Sequence, residues 1–208
     1  MTDGSISVPV VLASASSERQ RLLRELLSEF EVREARREQR QGLDGGQPEA
    51  VAVRRAEVKA ADVAEQRSES LIIAADTVVE CADRLLGKPQ DREEAADMLR
   101  LLTSHPQRVV TGVCLLTPAG LRLDRVEAAT VEMRSFSEEE VEQYVETHDV
   151  CEWAGAYALR HDDPNVTRLD GSSCTVRGLP LERLEEGLSA LYPGWTGGLP
   201  NETSVEPG

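Results

Sequence analysis

The chain carries 21 arginines but only two lysines, Lys59 and Lys88. A guanidinium is broad, planar and effectively always charged, whereas an ammonium is a compact point charge on a flexible stem. Lys59 lies in a helical stretch, RRAEVKAA. Lys88 follows a strand and turn in LIIAADTVVECADRLLGKP, twelve residues after Asp76. A carboxylate at the end of that apolar strand, beside Thr77, can bind a hard cation, deprotonate a water or merely cap a turn. Mg²⁺ and Mn²⁺ favour carboxylate oxygens and keep several waters, so one or two acidic residues suffice; Glu38 is the candidate second. Lys88 could offset charge building on a phosphoryl group, although Gly87 and Pro89 also suit a solvated turn lysine. Upstream, Ser14-Ala15-Ser16-Ser17 leads from a strand into a helix. Free amides and hydroxyls there point the same way, which suits an anion and equally an ordinary helix cap.

The elements that must position these groups alternate along the chain. Val8–Ala13 reads as a short buried strand. Ser17 with Gln20 fits a capping box opening a helix striped by Leu22, Leu23, Leu26 and Leu27. Phe30–Glu34 reads as a second strand, Glu38–Gly46 as a mobile stretch, and Pro48 to about Gln66 as a helix. Leu71–Val79 is the clearest central strand, and Glu80–Arg84 turns the chain. Asp91 with Glu94 caps a helix through Leu102. Val109–Leu116 and Leu121–Met133 form strands around Pro118-Ala119-Gly120. Ser137 with Glu140 opens a helix to Thr147. A polar loop spans His161–Asp170, a short strand lies near Cys174–Arg177, and a last helix covers Leu181–Leu191. This order predicts an α/β fold on a mixed β-sheet flanked by helices. Residues 1–7 are expected to be a tail, 8–191 one domain, and 192–208 a disordered tail.

Composition bounds the function. At 22.8 kDa and 40% hydrophobic the chain can bury a real core, built from Leu, Val and Ala because aromatics are only 3%. A net charge of −15 argues against wrapping duplex nucleic acid, yet a local cationic cluster can still take a small anion. No apolar run is long enough for a bilayer, and MTDGSISVPVVLAS lacks the pattern of an export signal. The expected setting is cytoplasmic. Cys81, Cys114, Cys151 and Cys174 are scattered, which favours free thiols, and His105, His148 and His161 read as surface residues.

The segments LASASSERQRLL, AEVKAA, IIAADTVV, LLGKPQD, VVTGV, WAGAYAL and DGSSCTVRGLPL stand in the order and spacing of a known family. From about Val8 to Leu191 the chain resembles the Maf family of nucleoside triphosphate pyrophosphatases. That resemblance implies two lobes around a central cleft, and a homodimer. It also implies metal-dependent cleavage of a nucleotide between the α- and β-phosphates, with Mg²⁺ or Mn²⁺. The family's catalytic aspartate falls on Asp76, as metal ligand and activator of water, and its two lysines on Lys88 and Lys59. Ser14, Ser16 and Arg19 would hold the phosphates. A further glutamate, catalytic and metal-binding, falls on Glu38 if one residue is deleted after Phe30, and on Gln39 without the gap. The gapped match is preferred.

Thr77 favours a resemblance to the family's dTTP- and UTP-directed branch, where SPRR is usual in place of Ser16-Ser17-Glu18-Arg19 and glutamine in place of Arg160. The 7-methyl-GTP branch has an SDQ motif and a tryptophan at the position of Glu18. Glu18 and Arg160 thus match neither branch, at positions the family links to base choice. Arginine only donates and ionised glutamate only accepts, a pairing that would suit cytosine. The alternative is that the two pair with each other or face solvent and leave selectivity loose; that alternative is preferred. Trp153 replaces a common lysine and reads more readily as a packing residue than as a base platform. The leading expectation is a nucleotide pyrophosphatase acting on pyrimidine triphosphates. Its rivals are a nucleotide-binding regulator of cell division that has lost catalysis, and an enzyme for modified purine triphosphates.

Overall fold

The computed structural model describes residues 6–36, 46–159, 163–195 and 197. Among the described residues, seven strands form one mixed sheet: β1 (Val10–Leu12), β2 (Glu31–Val32), β3 (Leu71–Cys81), β4 (Arg84–Leu86), β5 (Gln107–Leu116), β6 (Arg122–Met133) and β7 (Val166–Asp170). The path is β2-β1-β3-β5-β6-β7, with β4 pairing β3. The helices are α1 (Ser17–Leu23), α2 (Pro48–Ala64), α3 (Arg92–Leu102), α4 (Glu138–Thr147), the single turn α5 (Ser173–Val176) and α6 (Leu181–Leu191). The predicted α/β class and mixed sheet are what the chain adopts.

The central strand is split along one edge. β5 runs antiparallel to β3 from Ile72 to Cys81 and so takes one side of it. On the other side β1 lies parallel to Leu71–Ile73, and β4 lies antiparallel to Val79–Cys81. Residues 74–78 therefore have no strand beside them on that edge. Asp76 and Thr77 sit in this gap. The sequence placed Asp76 near the end of a strand; it lies mid-strand, where the neighbouring strand changes.

Side chains alternate faces along a strand, and this sorts the core. On one face Ile73, Ala75, Val113 and Leu115 pack with α1 and α6, through Leu22, Leu23, Leu184 and Leu188. Further along that face, Val79, Cys81 and Val109 pack with α3 and α4, through Leu99, Leu102, Val141 and Val145. Between these two cores the same face carries Thr77 and Thr111, whose hydroxyls lie 2.9 Å apart. The apolar alternation breaks there, so two apolar lobes form with a polar seam between them.

The opposite face is covered by α2. Ala52, Ala56 and Ala60 recur every four residues on one stripe and are fully buried against Ile72, Ala74, Val78, Val110 and Cys114. Small side chains let the helix lie close to the sheet. Gly112, opposite Asp76 in the β3–β5 register, completes that fit. A Cβ there would lie 2.5 Å from Val53 N and 2.6 Å from Ala52 C.

Several local expectations need correction. The cap of α1 is Ser16, whose hydroxyl accepts from Arg19 N, rather than Ser17 in a box with Gln20. The turn after β3 is tighter than Glu80–Arg84: Ala82 and Asp83, both at positive φ, make a two-residue hairpin of the kind whose twist matches its strands. The segment near Cys174–Arg177 is α5, not a strand; the strand lies earlier, at Val166–Asp170. His148 is no plain surface residue, because its ring stacks on Tyr144 with centroids 4.0 Å apart. By contrast, the caps of α3 and α4 and the span of α6 are as read from the sequence.

Candidate active site

A cavity of about 1340 Å³ opens over the seam and the gap in β3. It is lined by residues from both lobes, including Ser14, Ser16, Glu18, Arg19, Lys59, Asp76, Thr77 and Lys88. Small-molecule sites are clefts of roughly 300–1,000 Å³, so this one has room for a nucleotide with water. Glu38, Gln39 and Arg160 lie outside the described residues.

Asp76 is 8% exposed and projects toward α2. Lys59 Nζ donates to its Oδ1 at 2.6 Å, and Arg55 Nη1 stands 3.7 Å from its Oδ2. Residues four apart share a helix face, so Arg55 and Lys59 reach the same carboxylate from consecutive turns of α2. Arg55 was not anticipated, although that spacing from Lys59 could have suggested it. Lys88 enters from the turn after β4; its Nζ lies 3.5 Å from Glu152 Oε2.

On the seam face, Arg19 is a tie. Its Nε donates to Gly178 O at 2.8 Å, its Nη2 to Thr77 Oγ1 at 3.1 Å and its Nη1 to Ser14 Oγ at 3.4 Å. Thr111 Oγ1 in turn donates to Thr175 O at 2.8 Å. The result fastens α1, β3, β5 and the α5–α6 turn into one wall. Gly178, at φ +96°, makes the turn possible, and a Cβ there would meet Arg19 Nε at 3.1 Å.

Glu18 is not open to solvent as a lone base reader. Arg177 Nε donates to its Oε1, and Arg21 Nη2 donates to the same oxygen at 3.0 Å. The hydrogen bond from Arg21 holds this carboxyl below its usual range despite partial burial, and Arg177 adds to the effect. Arg177 escaped the sequence reading because arginine is common here and its partner is distant in the chain. Its side chain is only 6% exposed, and its Nη2 is buried without a hydrogen-bond partner.

Whether this cleft fits a divalent cation can be judged from Asp76. Its Oδ2 is buried and accepts no hydrogen bond, Arg55 standing off at 3.7 Å, which leaves the lone pairs of an anionic oxygen unused. No cluster of three or more His, Cys, Asp or Glu that could hold a metal occurs among the described residues. A hard cation needs few protein ligands when substrate oxygens and water complete its shell, so the site fits one.

The split sheet and its cationic cleft define an α/β protein built to receive a small, multiply charged anion. The chain belongs to the Maf family: the family described as Maf-like protein matches residues 9–191. It is 35% identical over 184 residues to a dTTP/UTP pyrophosphatase of Desulforamulus reducens, covering 86% of this chain and 95% of that one. It is 39% identical over 186 residues to a dTTP/UTP pyrophosphatase of Pelotomaculum thermopropionicum, covering 86% and 94%. Among solved structures, a HAM1 protein from Coxiella burnetii aligns at 18% identity and a TM-score of 0.43, over 61% of this chain and 73% of that one. Among the described residues, no helix is long and apolar enough to cross a membrane.

Proposed function

We propose that this chain hydrolyses pyrimidine nucleoside triphosphates, dTTP and UTP first, to the monophosphate and pyrophosphate. The observation that carries this reading is Asp76, set in the gap of β3 with two α2 cations against it and Lys88 on the same cavity. The names of the relatives support the substrate.

Asp76 would hold Mg²⁺ or Mn²⁺, with Glu38 as the proposed second carboxylate. When bound, the cation would neutralise phosphate oxygens. The remaining work falls to the chain. Lys59, Arg55 and Lys88 present positive charge along the cavity, which offsets charge moving onto the leaving pyrophosphate. Ser14, Ser16 and Arg19 would hold phosphate oxygens on the seam wall. A water oxygen bonds to the α-phosphorus as the bond to the bridging oxygen breaks, and the electron pair leaves with pyrophosphate. Asp76 Oδ2, which accepts no hydrogen bond within the chain, is the base that takes the water's proton.

For base choice we favour dTTP and UTP over CTP. Glu18 already accepts from two guanidinia, which leaves little of its carboxylate for a cytosine amino group. The cytoplasmic setting accords with four unbridged cysteines, while the homodimer rests on the family resemblance.

Pyrophosphate release from dTTP, UTP, CTP and 7-methyl-GTP, with Mg²⁺ or Mn²⁺ and after chelation, tests the proposal. Expected are dTTP and UTP rates at least about tenfold above 7-methyl-GTP, and no release once the metal is removed. Nucleotide binding without pyrophosphate release would instead mark a regulator.

A further inference from the structure

Aromatic residues are scarce in this chain, seven in all. Four of them, Phe136, Tyr144, Trp153 and Tyr157, gather in the lobe built on α3 and α4. The rings form a ladder. Tyr157 stacks on Tyr144 at 5.1 Å, Tyr144 stacks on His148 at 4.0 Å, and His148 meets Trp153 edge to face at 6.2 Å. The far end is anchored, because Tyr157 Oη donates to Asp163 at 2.9 Å and accepts from Asn165 Nδ2 at 2.9 Å. At the near end Trp153 is half-buried and lines the cavity.

The backbone around Trp153 is held as firmly. Gly155 and Ala156 both lie at positive φ, +70° and +63°, and Ala156 is fully buried. An L-residue adopts that conformation only where its surroundings enforce it, and such strain gathers at ligand sites. Gly155 N donates to Gly87 O at 3.0 Å, which ties this turn to the residue before Lys88. Glu152, the residue before Trp153, pairs with Lys88 itself. The ammonium assigned to phosphate and the indole are therefore carried on one joint.

We propose that the Trp153 indole is the platform on which the nucleobase stacks. The inference rests on reading the cavity as a nucleotide site. An indole held at the end of a packed ladder offers a flat, preformed surface to any base, since every base has a π-face. Stacking alone does not choose among bases, so Trp153 supplies affinity and leaves discrimination to hydrogen-bonding groups.

The test uses Trp195→Phe, which leaves Trp153 as the sole tryptophan. This variant is titrated in Mg²⁺ with α,β-imido-dUTP, which cannot be cleaved at the α–β bridge, and separately with inorganic tripolyphosphate. Expected is quenching of the emission by the nucleotide and not by tripolyphosphate. In the otherwise unaltered chain, Trp153→Ala should weaken imido-nucleotide binding about tenfold or more, leave tripolyphosphate binding unchanged, and be largely rescued by Trp153→Phe. Absence of quenching, or equal weakening of both ligands, would show that Trp153 only packs the lobe. If the parent chain binds the imido-nucleotide through Trp153 but releases no pyrophosphate from dTTP, the hydrolase reading falls and the platform stands. If it hydrolyses dTTP and Trp153→Ala binds normally, the platform falls alone.

Discussion

Asp76→Asn should fold like the parent chain yet release pyrophosphate at least about 10³-fold more slowly, the scale of losing a general base or a central electrostatic group. The substitution keeps the shape and an oxygen that can accept from Lys59, but removes the charge. The Lys59 and Asp76 side chains are only 15% and 11% exposed. Breaking a buried pair by deleting one partner costs about 3–5 kcal/mol, much of it for the charge left behind. Asn should lose less than that, because the acceptor remains; Asp76→Ala should lose the full amount. Adding Lys59→Met to Asp76→Ala removes the stranded ammonium and should recover stability without recovering turnover. Thermal unfolding and pyrophosphate release, measured on the same samples, separate these effects. Near-normal turnover in Asp76→Asn would remove Asp76 from the chemistry.

Gly112→Ala should be the most damaging single methyl that the sheet can receive at the site. The added carbon would fall 2.5–2.8 Å from backbone atoms of Ala52 and Val53. Backbone cannot swing aside as a side chain does, so α2 must lift from the sheet. Over-packing usually costs about 1–3 kcal/mol; a backbone clash should reach at least about 3 kcal/mol. For a chain of this size, that lowers Tm by roughly 6–12 °C. The same displacement draws Arg55 and Lys59 away from Asp76, so turnover should fall even in the folded fraction. A Tm within about two degrees of the parent would show that the helix adjusts freely.

Much of this arrangement could be read from local pattern. The caps at Asp91 and Ser137 and the stripe of α6 are signals contained within a few residues, and they hold in the fold. Segment 173–176 misled because Thr175 and Val176 favour strands. Tertiary bonds decide instead: Thr175 donates to Glu127 and its carbonyl accepts from Thr111. The site divides the same way. Asp76, Lys59 and Lys88 stood out by type and spacing, and they share the cavity. Arg177 could not stand out, since its pairing with Glu18 spans 159 positions. Nor could the split edge of β3, which depends on where β1 stops and β4 begins.

The scarcity of lysine has a practical side. Both ε-amino groups of the chain border the cavity, while its other permanently charged basic side chains are guanidinium groups that ordinary acylating reagents leave alone. Tethering this protein through its lysines would therefore fasten it by its own mouth, and attachment chemistry has to be directed elsewhere, for instance to thiols.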